Sequence, residues 1–279
     1  MRNSILLILL AILNFSCQEE VFLDLQKSER TPVIEAVWTN TVGLNQVQVS
    51  FSRDYYSEDP NEIVTDADVF ILNLEDNQRI RFRFNEQFQS YLPVNNVTGK
   101  LGAIYELHVI IEGKEYISQG KMLEPPVLDS LTFAYQEERV FREEGYYLTL
   151  YGKIPFVDDN NYRIRIIRND TLLNRRSDYL LFDDSFGTSI LDRGFELSGF
   201  AFNEGDRVRL ELFRLNLDVY DYLSQLVNLL FNDGGLFSPP PQNPVSNIRP
   251  LDGEGDVLGY FMVSPYLGAV VNIVEDKSD

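Results

Sequence analysis

From Thr31 onward, apolar residues recur at every second position in short runs, and this spacing constrains the fold more than any other feature. Successive side chains of a strand point to opposite faces, so a half-buried strand reads as alternation. Val33, Glu35 and Val37 alternate with Ile34, Ala36 and Trp38, and Val47, Val49 and Phe51 alternate with Gln46, Gln48 and Ser50. Phe70, Leu72 and Leu74 read as a further strand, and Glu75-Asp76-Asn77-Gln78 supplies its turn. Ile80, Phe82 and Phe84 then return, with Arg79, Arg81 and Arg83 on the opposite face. Tyr105, Leu107, Val109 and Ile111 form the next strand, and Glu112-Gly113-Lys114 turns into Tyr116-Ile117-Ser118. Short strands, regular turn signals and no helical period predict a β-sandwich over residues 32–124.

Pro125-Pro126 follows, and because proline cannot continue a central strand this pair is the expected domain boundary. A second β-rich series comes after it. Leu131 and Phe133 lead to Tyr146, Leu148 and Leu150. Tyr162, Ile164 and Ile166 then stand opposite Arg163 and Arg165. Asn169-Asp170 reads as a turn into Leu172-Leu173, and Val208, Leu210 and Leu212 alternate with Arg207, Arg209 and Glu211. One stretch changes period. Val219, Tyr222, Leu223, Leu226, Val227 and Leu230 fall on one stripe at 3.6 residues per turn, which predicts a helix over about 217–231. Asn216 or Asp218 is placed to cap its start, and Asn232 to Gly235 to end it. A crossing through Ser238-Pro239-Pro240-Pro241 then reaches a last strand around 257–263. The expected fold is all-β. It consists of two tandem immunoglobulin- or fibronectin-like sandwiches, 32–124 and 125–279, the second carrying a single inserted helix.

The N-terminus has its own grammar. Arg2 precedes an apolar run from Ile5 to Leu13, then small Ser16 and Cys17, the only cysteine of the chain. A cation, a short apolar stretch and a small residue at the cut make a secretory signal over residues 1–16. The run is shorter than the ~20 residues a membrane span needs. Its end resembles the bacterial lipoprotein signal, in which the cysteine is acylated with fatty acids such as palmitate; Asn14 departs from that pattern. Residues 17–31 then read as the acylated cysteine and its tether, and acidic Gln18-Glu19-Glu20 resembles the surface-export signal of Bacteroidota lipoproteins. The formal charge of −19 (24 Lys+Arg, 43 Asp+Glu) argues against nucleic acid as a partner, because phosphate binding is driven by clustered cations.

Side-chain chemistry is sparse. His108 is the only histidine, which leaves no His-based triad and no multi-histidine metal centre; alternation places it on one strand face with Glu106 and Glu112. Asp252, Glu254 and Asp256 set carboxylates at every second residue, the spacing of an oxygen-rich calcium loop, without the distal glutamate of an EF-hand. Asp158-Asp159-Asn160-Asn161 and Asp183-Asp184-Ser185 are acidic turns of the same kind. The strand-face arginines 79, 81, 83, 163 and 165 suit cross-strand ion pairs or an anionic ligand. Tyr55-Tyr56 and Tyr146-Tyr147 suit core packing or stacking on sugars or peptides. Asp129-Ser130-Leu131 and Asp170-Thr171-Leu172 match the tripeptide that Bacteroidota O-glycosylate, with Thr171 in the more favourable turn and Ser130 second. No nucleophile elbow, phosphate loop or HExxH motif is present, and no catalytic residue or cofactor is assigned.

Several stretches carry a wider resemblance. Val33 to Asn40, Val47 to Ser50, Gly113 to Ser118, Tyr220 to Leu223, Leu236 to Pro240, Val245 to Ile248 and Val257 to Phe261 resemble a family of Bacteroidota lipoproteins. That family is described only as a domain of unknown function. The resemblance implies a place beside SusC-type TonB-dependent transporters and no established catalytic or ligand residues. The expectation is therefore a lipid-anchored, surface-exposed outer-membrane protein. It would serve as a non-enzymatic accessory or binding component of nutrient uptake. A surface adhesin or structural lipoprotein and a glycan or peptide hydrolase are the alternatives.

Overall fold

In the computed structural model, residues 30–53, 60–232 and 242–274 are described. The first alternating series forms β1 (Pro32–Thr39), β2 (Gln46–Phe51), β3 (Glu62–Ile63), β4 (Asp68–Asn73), β5 (Gln78–Asn85), β6 (Ser90–Pro93), β7 (Ile104–Ile111) and β8 (Lys114–Lys121). The second forms β9 (Val127–Gln136), β10 (Gly145–Lys153), β11 (Asn161–Arg168), β12 (Thr171–Leu172), β13 (Leu180–Phe182), β14 (Phe195–Glu196) and β15 (Arg207–Leu215). Helix α1 (Leu217–Leu230) follows, then β16 (Arg249–Pro250), β17 (Leu258–Ser264) and β18 (Tyr266–Asn272).

The first sheet runs β16-β8-β7-β4-β5-β6-β2-β1-β17, with β3 on β2. Strand β5 bends this sheet into two layers: Gln78 to Arg81 pair with β4, while Phe82 to Asn85 pair with β6. Between the layers lie Ile34, Trp38, Phe82, Tyr105, Leu107 and Phe261. Trp38 meets the ring of Phe82 at 6.1 Å and that of Tyr105 at 5.6 Å, both inclined as ring quadrupoles prefer. The inward faces of β2, β5 and β7 are those the alternation predicts. In β4 the face is reversed: Val69, Ile71 and Asn73 point inward. Phe70 lies outside, yet it is covered by the guanidinium of Arg79 at 3.6 Å and by the stacked ring of His108 at 4.5 Å. With apolar residues on both faces, period two alone does not choose between them.

Pro125-Pro126 does link β8 to β9, but the chain returns. β17 pairs in parallel with β1, Ile34 opposite Gly259, and β16 pairs with β8. The expectation that everything after Pro125 belongs to the second sandwich therefore fails for 249–264, which complete the first. A further strand, β18, which the sequence reading does not single out, pairs with β15 in the other sheet. Strands β8 and β17, near the two ends of the folded sheet, approach each other without a backbone ladder, and side-chain amides replace it. Asn247 donates from Nδ2 to Phe261 O at 3.0 Å and accepts Phe261 N–H at 2.8 Å, as a strand residue would. Ser118 Oγ donates to Asn247 O on the β8 side. Asn216 accepts from Lys121 N and donates to Lys121 O and Val263 O. The layers touch so closely that a Cβ on Gly120 would lie 2.7 Å from Val263 Cγ2.

The second sandwich sets the β14-β10-β9 sheet against β12-β11-β15-β18, with β13 also on β11. Leu148, Leu150, Tyr162, Ile164, Leu210 and Leu212 fill it. The predicted turn is present: Asn169 and Asp170 both have positive φ, 50° and 63°, the backbone of a two-residue hairpin turn. Asp206 staples that end, accepting from Asn169 Nδ2 and Asn203 N at 2.7 Å each and pairing with Arg168. Burial alone would raise this carboxyl, but the Arg168 guanidinium and the two donors win and hold it below the usual range. A depressed folded value means that the stabilisation is present above the unfolded value of about 3.9 and is lost as pH falls through the lower folded one. Asp206→Asn should flatten the acid limb of the stability curve between pH 2 and 5, measured by urea denaturation; an unchanged slope would refute the assignment.

Helix α1 has the predicted bounds to within a residue, but it is a wedge rather than an ornament of the second sandwich. Its buried Val219, Tyr222 and Leu223 pack with Phe213 and Leu215 of one sandwich and Met262 of the other. Val37, Tyr260 and Tyr266 complete this third core. Asn216 stands at the N-cap position without capping, since its amide serves the seam. Asp218 accepts its neighbour's amide, Val219 N, and also Asn247 Nδ2.

Candidate functional site

His108 is held through both ring nitrogens and one ring face. On the outer face of the first sandwich its Nδ1 lies 2.6 Å from Glu115 Oε1 and its Nε2 lies 2.8 Å from Glu106 Oε1. Glu106 is the neighbour that alternation predicts. Alternation predicts Glu112 as well, but Glu112 pairs with Arg30 instead, and Glu115 reaches across the β7–β8 hairpin in its place. Gln119 donates to the second oxygen of Glu106. A shallow polar cavity of about 210 Å³ opens beside this network, lined by Glu106, Gln119, Asn247 and Arg249. The ring's nitrogens and one face are thus engaged, so the imidazole acts as a cross-strand link.

The calcium-like turn is differently built from a cation loop. Asp252 Oδ1 accepts Glu254 N–H at 3.0 Å, and Lys114 Nζ donates to Glu254 O and stands 3.9 Å from Asp252 Oδ2. An ammonium already supplies the positive charge there. Among the described residues no three His, Cys, Asp or Glu side chains converge as metal ligands, Asp252, Glu254 and Asp256 included. The 158–161 run offers main-chain carbonyls instead: Asp158 O and Asp159 O accept from Arg214 at 2.8 and 2.9 Å. Asp183 caps Ser185 N and accepts the hydroxyl of Tyr220, whose own proton is held so firmly by burial and that carboxylate that its pKa is pushed up to about 12. Thr171 is exposed directly after the Asn169-Asp170 turn, and Ser130 is exposed within β9 opposite Tyr151. Tyr146 packs edge-on to Phe133 and Tyr135, and Tyr147 lies under Arg142. Cys17 and Tyr55-Tyr56 lie outside the described residues.

The arginines separate into two kinds. Arg79 pairs with Asp68 at 3.2 Å, and Arg165 and Arg209 flank buried Glu211 at 2.8 and 3.3 Å. The side chains of Arg81 and Arg83 make no hydrogen bond or ion pair among the described residues. Arg163 has the most singular setting. It reaches from β11 into the groove between the sandwiches, over the ring of Tyr179 at 5.3 Å and toward Tyr260 and Glu35 of the first sandwich. Tyr222 of α1 packs at a tilt against Tyr260, with ring centroids 5.1 Å apart. Burial pushes the Tyr222 hydroxyl up to about 12, and Glu35 adds to it. Solvent reaches part of the Glu35 side chain, yet the packed walls around it raise its carboxyl above the ordinary range, with Arg163 opposing. Glu35 also lines a cleft of about 450 Å³ with Gln48, Ser50 and Asn61, while Arg163 lines one of about 150 Å³ with Leu173 and Asp178. The groove thus sets one carboxyl, one guanidinium and three phenols at the meeting of β1, β11, β17 and α1. It is equipped for hydrogen bonding and stacking. Alternation locates Arg163 and Glu35 on outer faces, but only the pairing of β1 with β17 brings them together.

The profile of a family described as "Domain of unknown function (DUF4249)" matches residues 18–267. The chain belongs to the DUF4249 family. No curated protein matches it. Within this DUF4249 chain, the stretches that carry the resemblance converge. Val33 to Asn40 is β1, Tyr220 to Leu223 lies in α1, Val245 to Ile248 holds the seam through Asn247, and Leu258 to Phe261 opens β17. The segment Leu236 to Pro240 lies outside the described residues.

Proposed function

We propose that this DUF4249 protein is a lipid-anchored outer-membrane lipoprotein that acts as a non-enzymatic accessory or binding component beside a TonB-dependent transporter. The observation that carries the reading is the N-terminal sequence: a signal-like apolar run ends at Ser16-Cys17, and the family match begins at residue 18, directly after the thiol. Acylated Cys17 fixes the protein at the membrane, firmly so when more than one chain is attached. Loops and hairpin tips of the two sandwiches then meet the transporter, since rigid sheets hold them while their own groups stay available. The hairpin between β9 and β10 suits such a contact. Arg139 and Arg142 exchange backbone hydrogen bonds across its tip and hold Val140 and Phe141, 90% and 100% exposed, clear of the protein. The two adjacent side chains make one apolar tip that a partner surface can cover.

Feeding cells an alkyne fatty acid should label the wild-type protein and not Cys17→Ala. Mild extraction of the wild type from membranes should co-purify a transporter, and Phe141→Ser should weaken that recovery without changing thermal stability. Unlabelled wild type would remove the anchor, and recovery without a transporter would remove the accessory role.

A further inference from the structure

The first sandwich carries a small pocket of about 270 Å³ at the end where the β1–β2 loop meets the β5–β6 turn and the segment after β6. None of its lining residues is ionisable, in a chain of which 24% is Asp, Glu, Lys or Arg. Its apolar wall is Val42, Leu92 and an aromatic ring, Phe88, which is 58% exposed. Gln46, Asn95 and Asn96 also line it, and their side-chain amides make no hydrogen bond among the described residues.

Both loops are pre-set. Asn85 Oδ1 accepts from Gln87 N and Phe88 N at 3.0 and 3.2 Å, and Ser90 Oγ donates to Phe88 O, which fixes the backbone that presents the ring. On the other side Asn45 Oδ1 accepts from Thr39 N and Thr39 Oγ1, while its Nδ2 donates to Thr41 O. A pocket that exists before its ligand arrives pays little ordering entropy on binding.

We propose that this pocket binds a neutral saccharide. An uncharged lining excludes ligands that need a counter-ion, because a charge taken from water without a partner is costly. A free carboxamide both donates and accepts, as a sugar hydroxyl does, so a lining with three of them and one aromatic ring suits the hydroxyls and the apolar face of a sugar ring. An extended peptide is disfavoured, because β2 and β6 are each paired on both sides and offer no strand edge for main-chain pairing. The inference is independent of the anchor and of the transporter.

The test is titration of the full-length protein, in a detergent without a sugar head group, with linear neutral tetrasaccharides of gluco, manno, galacto and xylo units. Tetragalacturonate and an uncharged tetrapeptide serve as comparisons. At least one neutral tetrasaccharide should bind, with saturation transfer to its ring protons. Phe88→Ala should weaken that binding at least tenfold and Asn96→Ala several-fold, with the thermal midpoint of both variants unchanged. Silence of all four neutral sugars, binding that survives Phe88→Ala, or tighter binding of the charged or peptide probe would overturn the proposal.

Discussion

Gly259→Ala should lower the stability of this protein by about 3–6 kcal/mol, the largest effect expected of any single added methyl group. Gly259 has φ +103°, a region that L side chains rarely adopt, and it sits opposite Ile34 in the parallel β1–β17 pair. A Cβ there would lie 1.9 Å from Ile34 O and 2.6 Å from its carbonyl carbon. Backbone cannot step aside as a side-chain tip can, so β17 must leave β1. Phe261, fully buried between the layers, is then pulled out of register. Gly43→Ala is the matched control: its φ is +91° but a Cβ there meets nothing within 4 Å. That variant should lose only about 1 kcal/mol, the backbone strain alone. Urea denaturation of both variants separates clash from strain, and equal losses would refute the close approach.

Arg214→Ala should cost about 3–5 kcal/mol, for a different reason. Arg214 is 5% exposed, and its guanidinium donates to three main-chain carbonyls: Asp159 O, Asp158 O and Glu124 O, at 2.9, 2.8 and 3.0 Å. The planar fork also lies 3.6 Å over the ring of Phe156. Glu124 directly precedes Pro125-Pro126, so one side chain ties the inter-sandwich link to the loop before β11. Truncation leaves three carbonyls without their donor. Arg214→Lys should recover less than half of the loss, since an ammonium is a point charge and cannot span three acceptors in a plane. Full rescue by lysine in thermal denaturation would show that charge, and not the fork, is what the site needs.

Much of this architecture is legible from spacing alone, for a physical reason. Where one strand face is wet and the other buried, as in β5, β7 and β11, the apolar residues mark the core directly. The stripe of α1 is equally plain, because a helix wedged between two cores must present apolar residues along one side. Spacing fails where both faces are covered, as at Phe70, and where position depends on partners far along the chain. Nothing local in Leu258 to Ser264 distinguishes a strand of the second sandwich from one that joins the first. Asn216 illustrates the same limit at a single residue: next to a helix an asparagine reads as a cap, yet its amide is spent on Lys121 and Val263. The groove residues share that fate. Glu35 and Arg163 are ordinary outward positions until the layers are assembled, while His108 beside Glu106 needs only the period of one strand.

The return of β17 to β1 also governs when the molecule can finish folding. A hydrogen bond such as Tyr266 N to Asn40 Oδ1 joins positions 226 residues apart, and the whole β1–β17 ladder is of that order. Closing so long a loop is slow relative to local hairpins. While the nascent polypeptide emerges from its N-terminal end, β1 is made first and its partner almost last, so the early sandwich waits with one edge unpaired. The same delay makes the open edge of β1 the place where a holdase chaperone should engage the chain, and where a truncated chain should begin to aggregate.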